Sequence, residues 1–380
     1  MAEAGGSVPF PLLFAEAMPS SHSGARQGFD VTERLAELTL PAGPTGKKDK
    51  VLILSNRQDA HADRVAVELL RREVPVCRFH TEELSSSGLL SLHLGEHAQD
   101  LGTLALPSHH LRIEEVKSVW FRRPKLPMFD GGNGHGSPEP SRIDEAVDFV
   151  AHETEAAIFG LLALLEDVFW VSHPNQFQAS DNKLANLKLA ESCGLPIPRT
   201  MVTNDPDRAK AFYESCDGQM IVKPFCGLPG PPTKGRALFA NRVRPEHLEH
   251  LYLVKHAPCL FQEYVPKDVE LRVTIVGHQV FAAEIHSQQS LISRDDWRRY
   301  DLTNTPYYPS SLPLGIQEAC LAILAHYGLP FGAIDMVRRP DGACVFLELN
   351  ANGQWLWVQN LTGLPIAEAI AGILARGSIF

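Results

Sequence analysis

The chain has 380 residues, 44% of them hydrophobic, enough for two or three domains with real cores. Its 35 Lys and Arg against 45 Asp and Glu leave a formal net charge of 35 − 45 = −10, which argues against a general nucleic-acid partner or an anionic membrane surface. No apolar run approaches the roughly 18 residues of a membrane span, the N-terminus has no basic n-region, and the seven cysteines form no Cys-x-x-Cys pair; the expected setting is a reducing cytoplasm.

Residues 1–49 are rich in Gly, Pro, Ser and Ala and close on Pro41-Ala-Gly-Pro-Thr-Gly-Lys-Lys-Asp-Lys50, the composition of an appendage on a flexible tether. Within it Phe10, Leu13, Phe14 and Ala17 recur at helical spacing after Pro9, which predicts one short amphipathic helix. The folded body is expected from residue 50. Val51-Leu-Ile-Leu54 reads as a buried strand, residues 60–72 as a helix with Val65, Leu69 and Leu70 on one face, and residues 74–79 as a second strand. That βαβ order predicts a parallel sheet. Residues 116–124 predict a further strand ending on Arg122 and Arg123. Gly131-Gly-Asn-Gly-His-Gly136 reads as an exposed loop and not a phosphate loop, since no strand-to-helix transition carries it. A long amphipathic helix over 141–166 and a short strand at Phe169-Trp-Val171 complete this part.

From Ser172 the organisation changes. Asp181-Asn-Lys183 opens a helix that stops at Cys193-Gly194-Leu-Pro196. Residues 219–224 and 260–265 predict strands, and 270–285 a hairpin turning at Gly277-His278. Helices are expected over 315–327 and 365–375.

Between those last two helices lies the most informative stretch. Gly332-Ala-Ile-Asp335-Met-Val337 reads as a strand carrying one acid, and Val345-Phe-Leu-Glu348-Leu-Asn350 as a second carrying two polar residues, joined by a polar turn at 338–342. Alternation puts Glu348 and Asn350 on one face with Leu347 and Leu349 on the other, and pairing brings Asp335 alongside. Acids inside otherwise apolar strands need partners. Three oxygen ligands of this kind suit Mg²⁺, a hard cation usually held with the phosphates of a nucleotide. Lys183 and Lys223 (223 − 183 = 40 residues apart) offer compact charges to phosphate oxygens. The loop at 226–235 reads equally as a phosphate cover or a plain surface hairpin. In Gln262-Glu263-Tyr264-Val265 an exposed strand edge is expected to face adenine, with Glu270 placed for ribose hydroxyls. Arg272 and Arg298 are candidates for capture of phosphate or carboxylate.

In this order the motifs resemble the ATP-grasp superfamily and, within it, the ribosomal-peptide maturases, the macrocyclising ligases that make microviridin-type peptides (graspetides). The resemblance rests on Trp120-Phe-Arg-Arg-Pro124, Asp181-Asn-Lys183, Ile221-Val-Lys-Pro224, Gln262-Glu-Tyr264, Glu270-Leu-Arg272, Ile285-His-Ser-Gln288, Asp296-Trp-Arg298, Asp335 and Glu348-Leu-Asn350. It implies an α/β protein with an ATP-grasp fold, α+β central and C-terminal domains clasping ATP, preceded by a parallel-sheet pre-ATP-grasp domain. The implied limits are an extension at 1–49, the pre-ATP-grasp domain at 50–171, and the ATP-grasp domain at 172–380 with its lid around 195–262.

By the same resemblance Lys183, Lys223 and Arg298 touch phosphates, Gln262, Glu263, Tyr264 and Val265 adenine, and Glu270 ribose, while Asp335, Glu348 and Asn350 hold two Mg²⁺ ions, for which Mn²⁺ can substitute. Arg298 and Arg272 are the implied catalytic cations, and no Ser, Cys or His serves as nucleophile. The implied reaction activates Asp or Glu side chains of a precursor peptide as acyl phosphates, which a hydroxyl or amine attacks to give an ester or amide. His286 and the Arg122–Arg123 pair are further candidates, the pair for binding an acidic peptide or for a structural role. The implied partner is a precursor peptide with a leader segment, supplied in trans or, since Pro9-Phe10-Pro-Leu-Leu-Phe14-Ala-Glu-Ala17 resembles such a leader, by residues 9–18 in cis. The bland alternative is a disordered or self-packed extension. Related enzymes often pair, so a homodimer is implied. Two other functions share the same nucleotide site: an ATP-grasp amino-acid or glutamate ligase acting on a free amino acid or a protein terminus, and a catalytically silent, nucleotide-gated peptide-binding protein.

Overall fold

The computed structural model describes residues 10, 15–17, 47–84, 87–95, 100–106, 109–124, 140–165, 167–225, 236–292 and 304–380. The β-branched and leucine-rich run at Lys50–Ser55 forms the middle of a sheet ordered Val76–His80, Lys50–Ser55, Val116–Phe121, Phe169–Val171, with every pairing parallel. Helix Ala60–Arg71 makes the expected crossover; Asp59 caps it, its carboxylate accepting from the amides of His61 (2.9 Å) and Ala62 (3.4 Å). Val65 and Leu69 pack one face of the sheet, while Ile158, Leu161 and Leu162 of helix Pro140–Ala163 pack the other. A three-stranded antiparallel sheet (Leu89–Leu92, Gly102–Leu106, His109–Arg112) also borders this core and was not foreseen, because strands of four or five residues carry too little periodicity.

Two antiparallel sheets follow. One is ordered Asn241–Val243, Met220–Lys223, Cys259–Glu263, Thr200–Thr203 and is backed by helix Pro206–Ser215. The other is ordered Tyr307–Ser310, Gln279–Ile285, Val269–Val276, Phe331–Arg338, Cys344–Asn350. Helices Lys183–Ser192 and Leu314–His326 cover one face of this five-stranded sheet. Helix Ile366–Arg376 is apolar nearly all round; it lies against the opposite face and also against helix Ala60–Arg71, so one core joins the parallel sheet to the five-stranded one. Among the described residues no helix is long and apolar enough to cross a membrane.

Two expectations need correction. The strand from Val116 stops at Phe121, and Arg122 and Arg123 lie beyond it, although the Arg122 amide still donates to the Leu54 carbonyl at 2.8 Å. The helix expected in the N-terminal segment is overturned at its end: Ala15–Ala17 is a strand paired antiparallel with Arg236–Leu238. Isolated helices shorter than about 12 residues are marginal, and an available strand edge outcompetes them. Phe10, from the same segment, is fully buried against Phe212, Met220 and Phe261, 6.1 Å from the last between ring centres. The glycine run at 131–136 and the loop at 226–235 lie outside the described residues.

Arg122 stitches the two sheets at their junction. Only 1% exposed, it donates through Nη1 to the Asn352 carbonyl (2.9 Å) and the Gly353 carbonyl (3.2 Å), with its Nε 3.3 Å from Asp59. Burial lowers its pKa to about 10, so it stays charged at neutral pH. Beside it the His61 ring meets Trp355 edge-on at 5.0 Å, and the His61 Nδ1 is sealed from solvent. Burial, then the charges of Arg122, Arg123 and Arg272, hold the His61 pKa well below its ordinary 6.5. The unfolded chain therefore takes up a proton below pH 6.5 that the native protein refuses, and stability is lost as pH falls through that value. Urea unfolding across pH 5 to 8 is expected to show wild type losing up to about 1.4 kcal/mol per pH unit more than His61→Phe below this point. Parallel pH profiles for the two proteins would contradict it.

Candidate functional site

Strand register builds the site. On one side of strand Phe331–Arg338, Arg272 pairs with Asp335; on the other, Glu348 pairs with Asp335 and Asn350 with Ala333. The pairing slips between Asp335 and Met336, leaving Leu347 as the extra residue of a β-bulge. Simple alternation had turned Leu347 away from Glu348. The bulge instead brings both to the wall of one cleft, while Leu349 keeps its place in the core.

Asp335, Glu348 and Asn350 converge. The Asn350 Nδ2 donates to Asp335 Oδ2 and to Glu348 Oε1, each at 3.3 Å, so an amide bridges two carboxylates. The amide carries its oxygen on the other corner, and turning about its last bond exchanges the two. Among the described residues no three His, Cys, Asp or Glu side chains gather as a metal group. This donor set is two carboxylates and an amide oxygen, without nitrogen or sulfur, which fits Mg²⁺ and not Zn²⁺.

Asp335 is held from behind. Arg272, 4% exposed, donates through Nη1 to Asp335 Oδ1 (2.8 Å) and through Nη2 to the Gln354 carbonyl (2.8 Å). Arg272 was expected to capture phosphate or carboxylate itself; its fork is engaged with the protein, and it does not line the cleft. Gly353 permits this. A Cβ there would sit 2.6 Å from Arg272 Nη2 and 2.6 Å from the Ala333 Cβ.

The cleft is open to solvent and spans about 620 Å³ between the antiparallel four-stranded and five-stranded sheets. Ile221, Ala240, Val337 and Leu347 give it apolar walls, and Lys223, Glu270, Asp335 and Glu348 give it a charged end. Lys223 is 9% exposed at its strand end, and the Lys183 ammonium donates to the carbonyl of the next residue, Pro224, at 2.6 Å, although Lys183 and Lys223 are 40 residues apart in sequence (223 − 183). Glu270 Oε1 accepts from the Lys267 ammonium and the Ser287 hydroxyl, both at 2.7 Å. Neither partner had been assigned that role, and the Ser287 contact, across 17 residues, leaves no local pattern.

The Gln262 to Val265 segment needs revision. Strand Cys259–Glu263 is interior, paired on both sides, and Gln262 is fully buried with its Nε2 on the Thr200 hydroxyl (2.9 Å). The amides of Glu263 and Tyr264 donate to the carbonyls of Arg199 and Gln219. Gln262, Glu263, Tyr264 and Val265 all border the cleft, but as the end of an interior strand and the stretch leaving it, not as an open edge. Arg298 lies outside the described residues. His286 contacts Glu284 (3.3 Å) and the Tyr308 ring. Burial pushes the Cys77 and Cys320 thiols up to about 12, so neither is a nucleophile at neutral pH.

Residues 50–178 match the family model described as the MvdD pre-ATP grasp domain. The chain is similar to a solved RiPP-associated ATP-grasp ligase from Chryseobacterium gregarium, in complex with ADP and a leader and core peptide, at 30% identity and a TM-score of 0.76, covering 86% of this chain and 97% of that one. It is also similar to the macrocyclase MdnC from Microcystis aeruginosa, bound with precursor peptide MdnA, at 27% identity and a TM-score of 0.72, covering 86% and 99%. Among curated proteins, a probable alpha-L-glutamate ligase from Klebsiella pneumoniae is 24% identical over 279 residues, 71% of this chain and 84% of that protein.

Gly353→Ala tests the support behind Asp335. Overpacking is expected to cost about 1–3 kcal/mol in urea unfolding and, by pushing Arg272 off Asp335, to weaken Mg²⁺-dependent ADP binding about tenfold in calorimetry. Unchanged ADP affinity would show that Arg272 does not set the site.

Proposed function

Because the chain belongs to the family of RiPP-associated ATP-grasp ligases, we propose that it activates acidic side chains of a ribosomally made precursor peptide with ATP and closes ester or amide crosslinks between side chains. The observation that carries this is the convergence of Asp335, Glu348 and Asn350, with Asp335 and Glu348 lining the same cleft as Lys223. In this reading the apolar walls take adenine, Glu270 meets the ribose, and Lys183 and Lys223 neutralise phosphates. The three oxygen ligands would hold Mg²⁺, two ions in all, with Mn²⁺ as a substitute; bound there, the ions offset charge developing on the transferred phosphoryl. Arg272 keeps Asp335 aimed. Arg298 is proposed to touch the phosphates.

The four-stranded sheet and its helix, residues 195–262, are proposed as the lid, between a pre-ATP-grasp domain at 50–171 and the rest of the ATP-grasp domain. Buried, unpaired cysteines support a reducing cytoplasm. The N-terminal segment is proposed to act in cis where a leader would otherwise act. Two contacts support it: Phe10 is sealed in the core of this sheet, and Ala15–Ala17 extends strand Arg236–Leu238. A tethered segment needs no separate binding step, since its effective concentration is high.

The test is mass spectrometry of a Thr- and Glu-rich acidic peptide incubated with the enzyme, ATP and Mg²⁺. Loss of one water per ring, with ADP formed, is expected. The likeness to the Klebsiella protein favours a second reading, in which a glutamate residue is added to the peptide instead. A gain in mass would select that reading, and an unchanged peptide would remove both. Phe10→Ala deletes a buried ring worth about 3–5 kcal/mol and is expected to slow turnover, which a peptide spanning residues 5–20 restores. Full turnover by Phe10→Ala would end the cis proposal.

A further inference from the structure

A second opening, of about 740 Å³, lies beside the Asp335–Glu348–Asn350 cluster and is lined by Arg123, Phe177, Ser180, Asp181, Asn350 and Asn352 among others. Asn350 belongs to both places: its amide bridges the two carboxylates that line the first cleft, and its side of the strand faces this opening. Asn350 therefore stands between the two spaces, lining one and touching the carboxylates that line the other. A third opening, of about 640 Å³ and largely apolar, is lined by Phe121, Arg123, Pro124, Ile158 and Phe159. Arg123 stands where the second and third meet.

Its backbone is unusual. Arg123 has φ of +47°, a conformation that L residues other than Asn and Asp rarely adopt. The surroundings impose it: the Asn56 Nδ2 donates to the Arg123 carbonyl at 2.9 Å, and the preceding Arg122 is locked onto Asn352 and Gly353. Strain of this kind persists where surrounding structure over-determines it, and it concentrates at binding and catalytic sites. Here it lies two residues past a strand end, on an exposed residue at the junction of the two openings.

We infer that Arg123 is the receptor for the carboxylate to be activated, so that the acidic side chain enters by the second opening and meets the nucleotide's γ-phosphoryl at its Asn350 end. The apolar third opening then takes a hydrophobic neighbour of that acid in the peptide. This rests on the ligase reading above. In the step itself a carboxylate oxygen attacks the γ-phosphorus, one O–P bond forms, and the bond to the β–γ bridging oxygen breaks. ADP leaves with that electron pair, and no proton moves. A guanidinium is always charged and fits a carboxylate with two parallel donors. Asp181 lines the same opening, so without Arg123 the space repels acids.

The test is calorimetry on the full chain saturated with Mg·ADP. The probe is a synthetic octapeptide of alternating Thr and Glu, acetylated and amidated at its ends, compared with its Thr–Gln counterpart. Wild type is expected to bind the Glu peptide about tenfold more tightly than the Gln peptide. Arg123→Gln, and Arg123→Gly (which relieves the positive φ), are each expected to abolish that preference while Mg·ADP affinity stays within about twofold. An acid preference that survives either substitution overturns the inference, as does its absence in wild type or a parallel loss of Mg·ADP binding. A preference that disappears as expected, in a protein that closes no ring, leaves the Arg123 site standing and removes the ligase reading alone.

Discussion

The hydrogen-bonded pair between Arg272 and Asp335, 2.8 Å apart on neighbouring strands, is the constraint from which the rest of the site follows. Two carboxylates brought together in a partly buried place repel each other and favour any cation that neutralises them. Arg272 supplies half of that neutralisation from behind and fixes the Asp335 rotamer. The open side of Asp335, with Glu348, is then left to face the cleft, and Asn350 bridges the two. The arrangement tolerates no side chain at Gly353, whose backbone lets the guanidinium pass.

The same short loop after strand Cys344–Asn350 ties the site to the parallel sheet. Gln354 accepts from Arg272, Asn352 and Gly353 accept from Arg122, and Trp355 is fully buried against His61. His61 is thus buried beside a loop held by two guanidiniums, and burial first, then those charges, keep it neutral there. Truncating one partner of such a buried network leaves an uncompensated charge, so the junction is stiff where the two sheets meet. A phosphoryl donor and an acidic acceptor must be aligned within a fraction of an ångström, and a stiff junction is what that requires.

How much of this was legible in the sequence depended on range. The βαβ unit, the hairpin through Gly277 and the two acid-bearing strands announced themselves through local periodicity and turn residues, and each lies where its pattern put it. Asp335 and Glu348 could be paired because only a short turn separates their strands. What failed needed non-local knowledge. The bulge that re-aims Leu347 is set by packing on both strands, and the interior position of Gln262 by a partner strand 60 residues earlier. Arg272 looked like a ligand-binding cation because its sequence gives no sign of the Gln354 carbonyl waiting 82 residues on. In the N-terminal segment, helical spacing correctly marked Phe10 as apolar-facing. The strand at Ala15–Ala17 was decided by the edge it meets and not by its own residues.

The most direct test of the central claim is anomalous scattering from crystals grown with Mn²⁺ and ADP. A manganese peak within about 2.5 Å of carboxylate oxygens from both Asp335 and Glu348, with the Arg272 contact to Asp335 intact, is the expected result. Manganese found only elsewhere, or bound with those two carboxylates turned apart, would contradict the account.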